Sequence, residues 1–341
     1  MSVPQIRRIR IEKFRRIQEP LELQLVAPND RPCKTVVLAG PNGSGKTTIL
    51  EAVLLGLGRE SLIVRDLEKS KRDQHWRVTL PQGAAIELDV SLDGQPAVTW
   101  LRTADRHVQR IGGEELPIDK DLADQLAVEL FSSWRAPELV GAIHPLGGGN
   151  RPRNNENNRL WRLKQKICDE RARAGYQQPR IRGTSKADHW LDQINQAWTK
   201  FHGNDGTRID ALVVEDSEEE GLWADLFVMR GETRICPIDQ VSSGEIELLS
   251  FAGWIILQEF RGGLLLIDEP ELHLHPQWQT TFIPALRELS SQTQFIVASH
   301  SDAVWEQAYG IERFLLVDKS DPRSIEWRLA HRSVETEADE P

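Results

Sequence analysis

The nine residues Gly40-Pro41-Asn42-Gly43-Ser44-Gly45-Lys46-Thr47-Thr48 satisfy the pattern G-x-x-x-x-G-K-[ST] in full. Glycines at these spacings let backbone N–H groups converge on an anion, and a following helix adds its positive end. Lys46 brings a point charge suited to β- and γ-phosphates, and the Thr47 hydroxyl is placed to ligate Mg2+. The pattern carries meaning only between a strand and a helix. Both flanks comply: Val36-Val37-Leu38-Ala39 reads as a buried strand, and Thr48–Leu55 has helix-forming composition.

Further chemistry stands in the second half of the chain. Leu264-Leu265-Leu266-Ile267-Asp268-Glu269 is an apolar strand ending in two carboxylates. At the carboxyl end of such a strand Asp268 can hold Mg2+, while Glu269 can polarise a water molecule as general base. About twenty residues upstream, Val241-Ser242-Ser243-Gly244-Glu245 opens a helical run, Ile246–Leu257. Ser242 or Ser243 would cap that helix, and its N–H groups and hydroxyls could grip a γ-phosphate. Phe295-Ile296-Val297-Ala298-Ser299-His300-Ser301 is a strand that ends in a histidine.

The elements that must position these groups can be read from periodicity. Ile6–Ile11 and Leu21–Val26 alternate at period two and predict two strands. Ile86–Leu92 and Ala97–Leu101 flank Asp93-Gly94, a dipeptide that favours a tight hairpin turn, so a small antiparallel sheet is expected there. From about residue 119 to 205 the composition turns helical. Trp190, Leu191, Ile194, Ala197, Trp198 and Phe201 fall on one helical stripe. Ala224–Ile238 reads as strands turning at Gly231-Glu232. Leu264–Ile267, Phe295–Ala298 and Phe314–Val317 fit the buried strands of a mostly parallel sheet.

Composition narrows the class. A chain of 341 residues with 39% hydrophobic and 28% charged residues is ordinary for a globular protein with a good-sized core. No apolar run is long enough to span a bilayer, and the N-terminus is unlike a signal peptide. Three widely spaced cysteines suggest neither a disulfide framework nor a zinc site, so a cytoplasmic location without membrane contact is expected. The net charge of −10 argues against general coating of nucleic acid. Arg151–Lys186 is the exception, with eleven Lys/Arg against three acids. The end of the chain, Ser333–Pro341, is acidic and poor in apolar residues, as unstructured tails are. Most of the eleven tryptophans have apolar neighbours and read as packing residues.

Taken together, these motifs resemble the ABC-type ATPases of the SMC/RecF/OLD branch, in the compact stand-alone form found in anti-phage defence systems. Gly40–Thr48 matches the Walker A. Val241–Glu245 matches the signature, in a Ser-Ser-Gly-Glu form. Leu264–Glu269 matches the Walker B, Pro270–Pro276 the D-loop region and His300 the switch histidine. The opening Ile9–Arg15 is similar to the I-x-N-F-R start of that branch, which adds Arg15 to the nucleotide-contacting candidates.

The resemblance implies an α/β fold: a P-loop ABC-type head with a mixed main sheet, a small antiparallel lobe and a helical insertion. It divides the chain into a first half-head (1–101), a mainly helical insertion (102–205), a second half-head (206–332) and the acidic tail (333–341). It implies ATP and Mg2+ as cofactors. Gly40, Pro41, Asn42, Gly43, Ser44, Gly45, Lys46, Thr47 and Thr48 would hold the nucleotide, and Thr47 and Asp268 the metal. Glu269, His300 and Lys46 would be catalytic. Ser242, Ser243, Gly244 and Glu245 of a second copy would close a head-to-tail homodimer over the triphosphate. Family members also carry a coupling glutamine; Gln74, Gln82, Gln95, Gln109 and Gln125 are the candidates.

Three roles follow as expectations. In the first, an ATP-hydrolysing switch subunit controls a separate effector, a nuclease or toxin, in anti-phage defence. In the second, a DNA-clamping ATPase of repair or recombination uses the Arg151–Lys186 region on duplex phosphates. The third, ranked last, is the ATPase subunit of a membrane transporter.

Overall fold

A computed structural model describes residues 2–65, 79–133, 139–147, 159–174, 185–214, 223–257, 262–272 and 274–317. Three sheets organise them.

The central sheet is parallel throughout, in the order β14-β3-β13-β12-β8. Its strands are β3 (Thr35–Ala39), β8 (Val128–Phe131), β12 (Gly263–Asp268), β13 (Thr293–Ser299) and β14 (Arg313–Leu315). The three central strands β3, β12 and β13 are short apolar runs because both faces of the sheet are covered. Alternation divides each strand between two cores. Val36, Leu38, Leu264, Leu266, Ile296 and Ala298 face helix α1 (Lys46–Gly56). Val37, Leu265, Ile267, Phe295 and Val297 join the opposite core, with α6 (Ser243–Leu257) and α7 (Pro276–Leu289).

Beyond α1 lies a six-stranded antiparallel sheet, β2-β1-β4-β5-β6-β7. Its strands are β1 (Pro4–Glu12), β2 (Leu21–Gln24), β4 (Ala85–Leu92), β5 (Val98–Thr103), β6 (His107–Ile111) and β7 (Glu114–Pro117). Helix α1 is buried along almost its whole length, which explains its lack of a polar stripe. The Asp93-Gly94 turn forms as expected, with both residues at positive φ (49° and 76°).

A third, three-stranded sheet contains β9 (Thr207–Val213), β10 (Ala224–Arg230) and β11 (Thr233–Pro237). It shares a core with α4 (Arg159–Arg173), α5 (Lys186–His202) and one side of α6. The expected stripe on α5 is buried in full, from Trp190 to Phe201. Three short helices are α2 (Glu60–Arg65), α3 (Lys120–Asp124) and α8 (Asp302–Glu306).

The stretch expected to be helical from residue 102 departs from expectation. Residues 107–117 add two strands to the antiparallel sheet, and β8 forms an edge of the central one. Two features hid them. Strand β7 is exposed on both faces, so it carries no alternation, and β8 is four residues long with Glu129 in its middle. Glu129 is nonetheless buried, neutralised by Arg159 at 3.3 Å. The antiparallel sheet is therefore larger than the single hairpin the sequence announces.

Candidate active site

Because the central sheet is parallel, the carboxyl ends of four adjacent strands lie in a row. Register fixes the alignment: Ala39 stands opposite Ser299, Asp268 opposite Ala298, and Ile267 opposite Phe131. The chain leaving β3 is the phosphate loop. The chain leaving β13 begins with His300, β12 ends at Asp268, and β8 is followed by Ser132-Ser133. Ligands of open parallel sheets bind at this edge.

The loop has the shape an anion requires. Gly40, Gly43 and Gly45 adopt positive φ (153°, 79° and 99°). A Cβ on Gly40 would lie 2.5 Å from the Leu316 carbonyl, so no other residue fits. Helix α1 starts at Gly45 with no side chain capping it. The Ser44 hydroxyl is buried without a hydrogen-bond partner among the described residues. An open helix N-terminus beside an unsatisfied donor fits a phosphate group.

Lys46 is nearly buried (5% exposed) and its ammonium has three partners: the Gly40 carbonyl at 2.8 Å, the Pro41 carbonyl at 3.1 Å and His300 Nδ1 at 3.3 Å. Burial pushes its pKa below the usual lysine range, against the opposing pull of Glu269, Asp268 and Glu271. The Thr47 hydroxyl contacts both Asp268 oxygens at 3.0 and 3.1 Å. His300 Nε2 lies 3.0 Å from Glu269 Oε1. Glu269 has φ of +50°, a strained backbone for a non-glycine residue, while its N–H donates to the Ala298 carbonyl at 2.8 Å. The structure thus brings Lys46, Thr47, Asp268, Glu269 and His300 together. A hydroxyl and one carboxylate are the donor set a Mg2+ ion takes from protein when phosphates and water supply the rest, so Thr47 and Asp268 fit that ion.

Sequence reasoning missed three participants. Ser133 Oγ donates to Asp268 Oδ2 at 3.0 Å. It follows the strand that was not recognised, so no local signal pointed to it. Glu271 accepts from Ser299 Oγ at 2.8 Å and from the His300 N–H, holding the strand end that carries the histidine. It lies within the Pro270–Pro276 motif, where its side-chain partners are set by the neighbouring strand β13 and not by local sequence. Arg16 donates from Nη1 to the Gly43 carbonyl at 3.1 Å.

Arg15 takes a different place from the one expected. Phe14 and Ile17 exchange two backbone hydrogen bonds around Arg15-Arg16, and Arg15 has φ of +51°. The tight turn sends the two guanidiniums apart. Arg15 pairs with buried Glu51 of α1, and Arg16 reaches the phosphate loop instead.

The signature residues stand at the start of α6. Ser242 and Ser243 are exposed and Gly244 is buried. Glu245 Oε2 accepts from the Ser242 N–H at 2.6 Å, and Ser242 Oγ accepts from the Glu245 N–H at 3.4 Å, a reciprocal cap. Burial raises the Glu245 carboxyl, but the hydrogen bonds from Ser242 and His202 outweigh it and hold the pKa below the usual range.

None of the described candidate glutamines is shown in contact with Lys46, Thr47 or Asp268. Gln82, Gln95 and Gln125 sit in exposed turns or caps and Gln109 on β6, while Gln74 lies outside the described residues. The described part of the basic segment divides in two: Arg162, Arg173 and Lys186 are exposed, and three other cations are turned inward. Lys164 is fully buried between Asp225 (2.7 Å) and Asp239, and Arg171 joins Asp188 and Asp210. Arg159 pairs with Glu129 and lies over Phe131. These cations hold the lobe together and are not presented to a duplex. Arg151, Arg153, Arg180, Arg182 and the acidic tail lie outside the described residues.

Comparison with known proteins places this arrangement. The SMC head bound to the C-winged helix domain of ScpA superposes with a TM-score of 0.55 at 17% identity, covering 89% of this chain and 92% of that one. This establishes an SMC head-like α/β fold. In sequence, "Retron Ec83 probable ATPase" of Escherichia coli is 52% identical over 42 residues, and Septu protein PtuA of Bacillus thuringiensis 45% over 49. Those stretches are 12% and 14% of this chain and only 8% and 12% of the relatives' own lengths. Residues 36–306, most of the chain, match the family described as "AAA domain, putative AbiEii toxin, Type IV TA system". The chain belongs to that AAA-domain family, and its fold is SMC head-like.

Proposed function

We propose that this chain binds and hydrolyses ATP, pairs head-to-tail with a second copy over the nucleotide, and so controls a separate effector in bacterial anti-phage defence. One observation carries the reading: Lys46, His300, Glu269, Asp268 and Thr47 form a continuous set of contacts across three strand ends beside an open phosphate loop.

Residues Gly40–Thr48 would cradle the triphosphate, with Lys46 turning from the loop carbonyls to the β- and γ-phosphates. Thr47 and Asp268 would hold Mg2+, which when bound neutralises charge on the phosphoryl oxygens. Glu269 serves as the general base that takes a proton from the attacking water. His300, held by the Glu271 contacts, is set to donate to the γ-phosphate. Ser242 and Ser243 of the second copy would complete the pocket. Their exposure supports this, because they are open to a partner.

The relatives named for a retron and for Septu support the defence role, in which the separate chain would be a nuclease or toxin. The DNA-clamping reading stands second: Arg159, Lys164 and Arg171 are spent on internal ion pairs, while Arg162, Arg173 and Lys186 stay exposed. Mass measurement of the E269Q variant with and without ATP and Mg2+ tests the core of the proposal. ATP should double its mass. A single copy at saturating ATP would refute the pairing. Co-purification with the product of an adjacent gene tests the effector.

A further inference from the structure

The insertion grips the signature turn from both sides. Upstream, the fully buried Lys164 of α4 donates to Asp239, three residues before Ser242, and to the Gly141 carbonyl at 2.9 Å. Asp239 also accepts the Val140 N–H at 2.8 Å. Downstream, Glu245 uses one oxygen to cap Ser242 and offers the other to His202 Nε2 at 2.8 Å.

His202 is the last residue of α5, and its ring is fixed from three directions. It stacks on Trp198 (3.9 Å between centroids, 13° between planes), and the Trp278 ring of α7 meets it edge-on at 4.9 Å. Its Nδ1 lies 3.0 Å from the Trp198 carbonyl oxygen. Nε2 faces the Glu245 carboxylate oxygen, an acceptor, and is the donor of that contact. The side chain is 13% exposed, so water competes weakly for these contacts. Neither the phosphate loop nor the carboxylate pair touches this cluster in the contacts above. Among the described residues it is linked to the signature by Glu245 and, through it, by Ser242.

We propose that His202 is a positioning residue for the signature: its Nε2–H holds Glu245, and Glu245 holds Ser242 and Ser243 in the geometry that closes on the triphosphate of a second copy. This rests on the shared-pocket reading above. It adds that the end of the insertion, and not the central sheet, sets how well one copy engages the other.

The test separates nucleotide binding from pairing. H202F keeps a ring to stack on Trp198 and loses the Nε2–H donor, whereas H202Q keeps one donor for Glu245. Dilute protein reports ATP binding to a single copy, and ATP-dependent mass reports pairing. H202F should weaken pairing about tenfold, the scale of one charge-assisted hydrogen bond, with single-copy ATP affinity and melting temperature near wild type. H202Q should recover most of the loss. In an E245A background H202F should add nothing, because the group it acts through is gone; this cycle also serves if H202F alone folds poorly. S243R is the control for the underlying reading. If S243R pairs normally, the shared pocket fails and this proposal with it. If S243R abolishes pairing while H202F pairs like wild type, or H202Q rescues nothing, the positioning role alone is overturned.

Discussion

Lys46 and His300, 254 residues apart in sequence, meet with Nζ 3.3 Å from Nδ1. The contact follows from topology, since β3 and β13 are parallel neighbours in register and each releases its chain at the same edge. It also fixes the imidazole tautomer. An ammonium can only donate, so Nδ1 accepts, and the proton of a neutral ring sits on Nε2, facing Glu269 Oε1 at 3.0 Å. With three partners, the Lys46 ammonium has used its three protons and must exchange at least one contact when phosphates enter.

The first prediction concerns Glu269. E269Q keeps the shape and a hydrogen-bonding oxygen but cannot take a proton from water. Phosphate release should fall by about 100-fold or more, the usual range for a general base, with ATP binding retained. Turnover at the wild-type rate would remove Glu269 from that role.

Arg16 supplies the second. Its guanidinium spends one donor on the Gly43 carbonyl and is otherwise exposed over the loop, so further donors are placed near bound phosphates. R16A should weaken ATP binding about tenfold, as expected for one hydrogen bond to a charged group. R15A should act differently, lowering the melting temperature by leaving buried Glu51 without its ion pair. Titration with a fluorescent ATP analogue and a thermal melt of each variant separate the two.

How much of this was legible in sequence depended on whether a group's position is set locally. Gly40–Thr48 could be read because the motif carries its own strand, turn and helix start. Asp268, Glu269 and His300 could be read because each ends an apolar strand of a parallel sheet. Ser133 could not, because β8 is short, contains Glu129 and is a strand only through its pairing with β12. The basic segment misled for a related reason. A cation count cannot reveal that Lys164 lies between two carboxylates supplied by β10 and by the turn before α6. Arg15 and Arg16 are adjacent, and only the backbone turn determines which of them reaches the loop.

Ser133 gives a third prediction. Its hydroxyl donates to the same Asp268 oxygen that Thr47 contacts, so it orients the carboxylate assigned to the metal. S133A should raise the Mg2+ concentration needed for half-maximal ATP hydrolysis about tenfold, as losses of outer partners do. Rates at saturating Mg2+ should stay close to wild type. A Mg2+ dependence identical to wild type would make Ser133 a packing residue.

The last prediction is a pH dependence set by one buried triad. Burial pushes the Asp225 carboxyl up to about 6, against the pull of Lys164 and with added repulsion from Asp239. One ammonium cannot fully compensate two carboxylates, one of them buried. The folded chain therefore binds this proton more tightly than the unfolded chain does. The stabilisation is fully present below the ordinary carboxylate pKa and is lost as pH rises through about 6. A shift of this size corresponds to roughly 2–3 kcal/mol. D225N cannot titrate, and its amide oxygen can still accept from Lys164. Relative to D225N, the wild-type chain should lose stability between about pH 4 and about pH 7, and the gap should level off above that range. Denaturant unfolding of both proteins across this window measures it. Parallel curves would mean that Asp225 stays ionised throughout, with Lys164 compensating it in full.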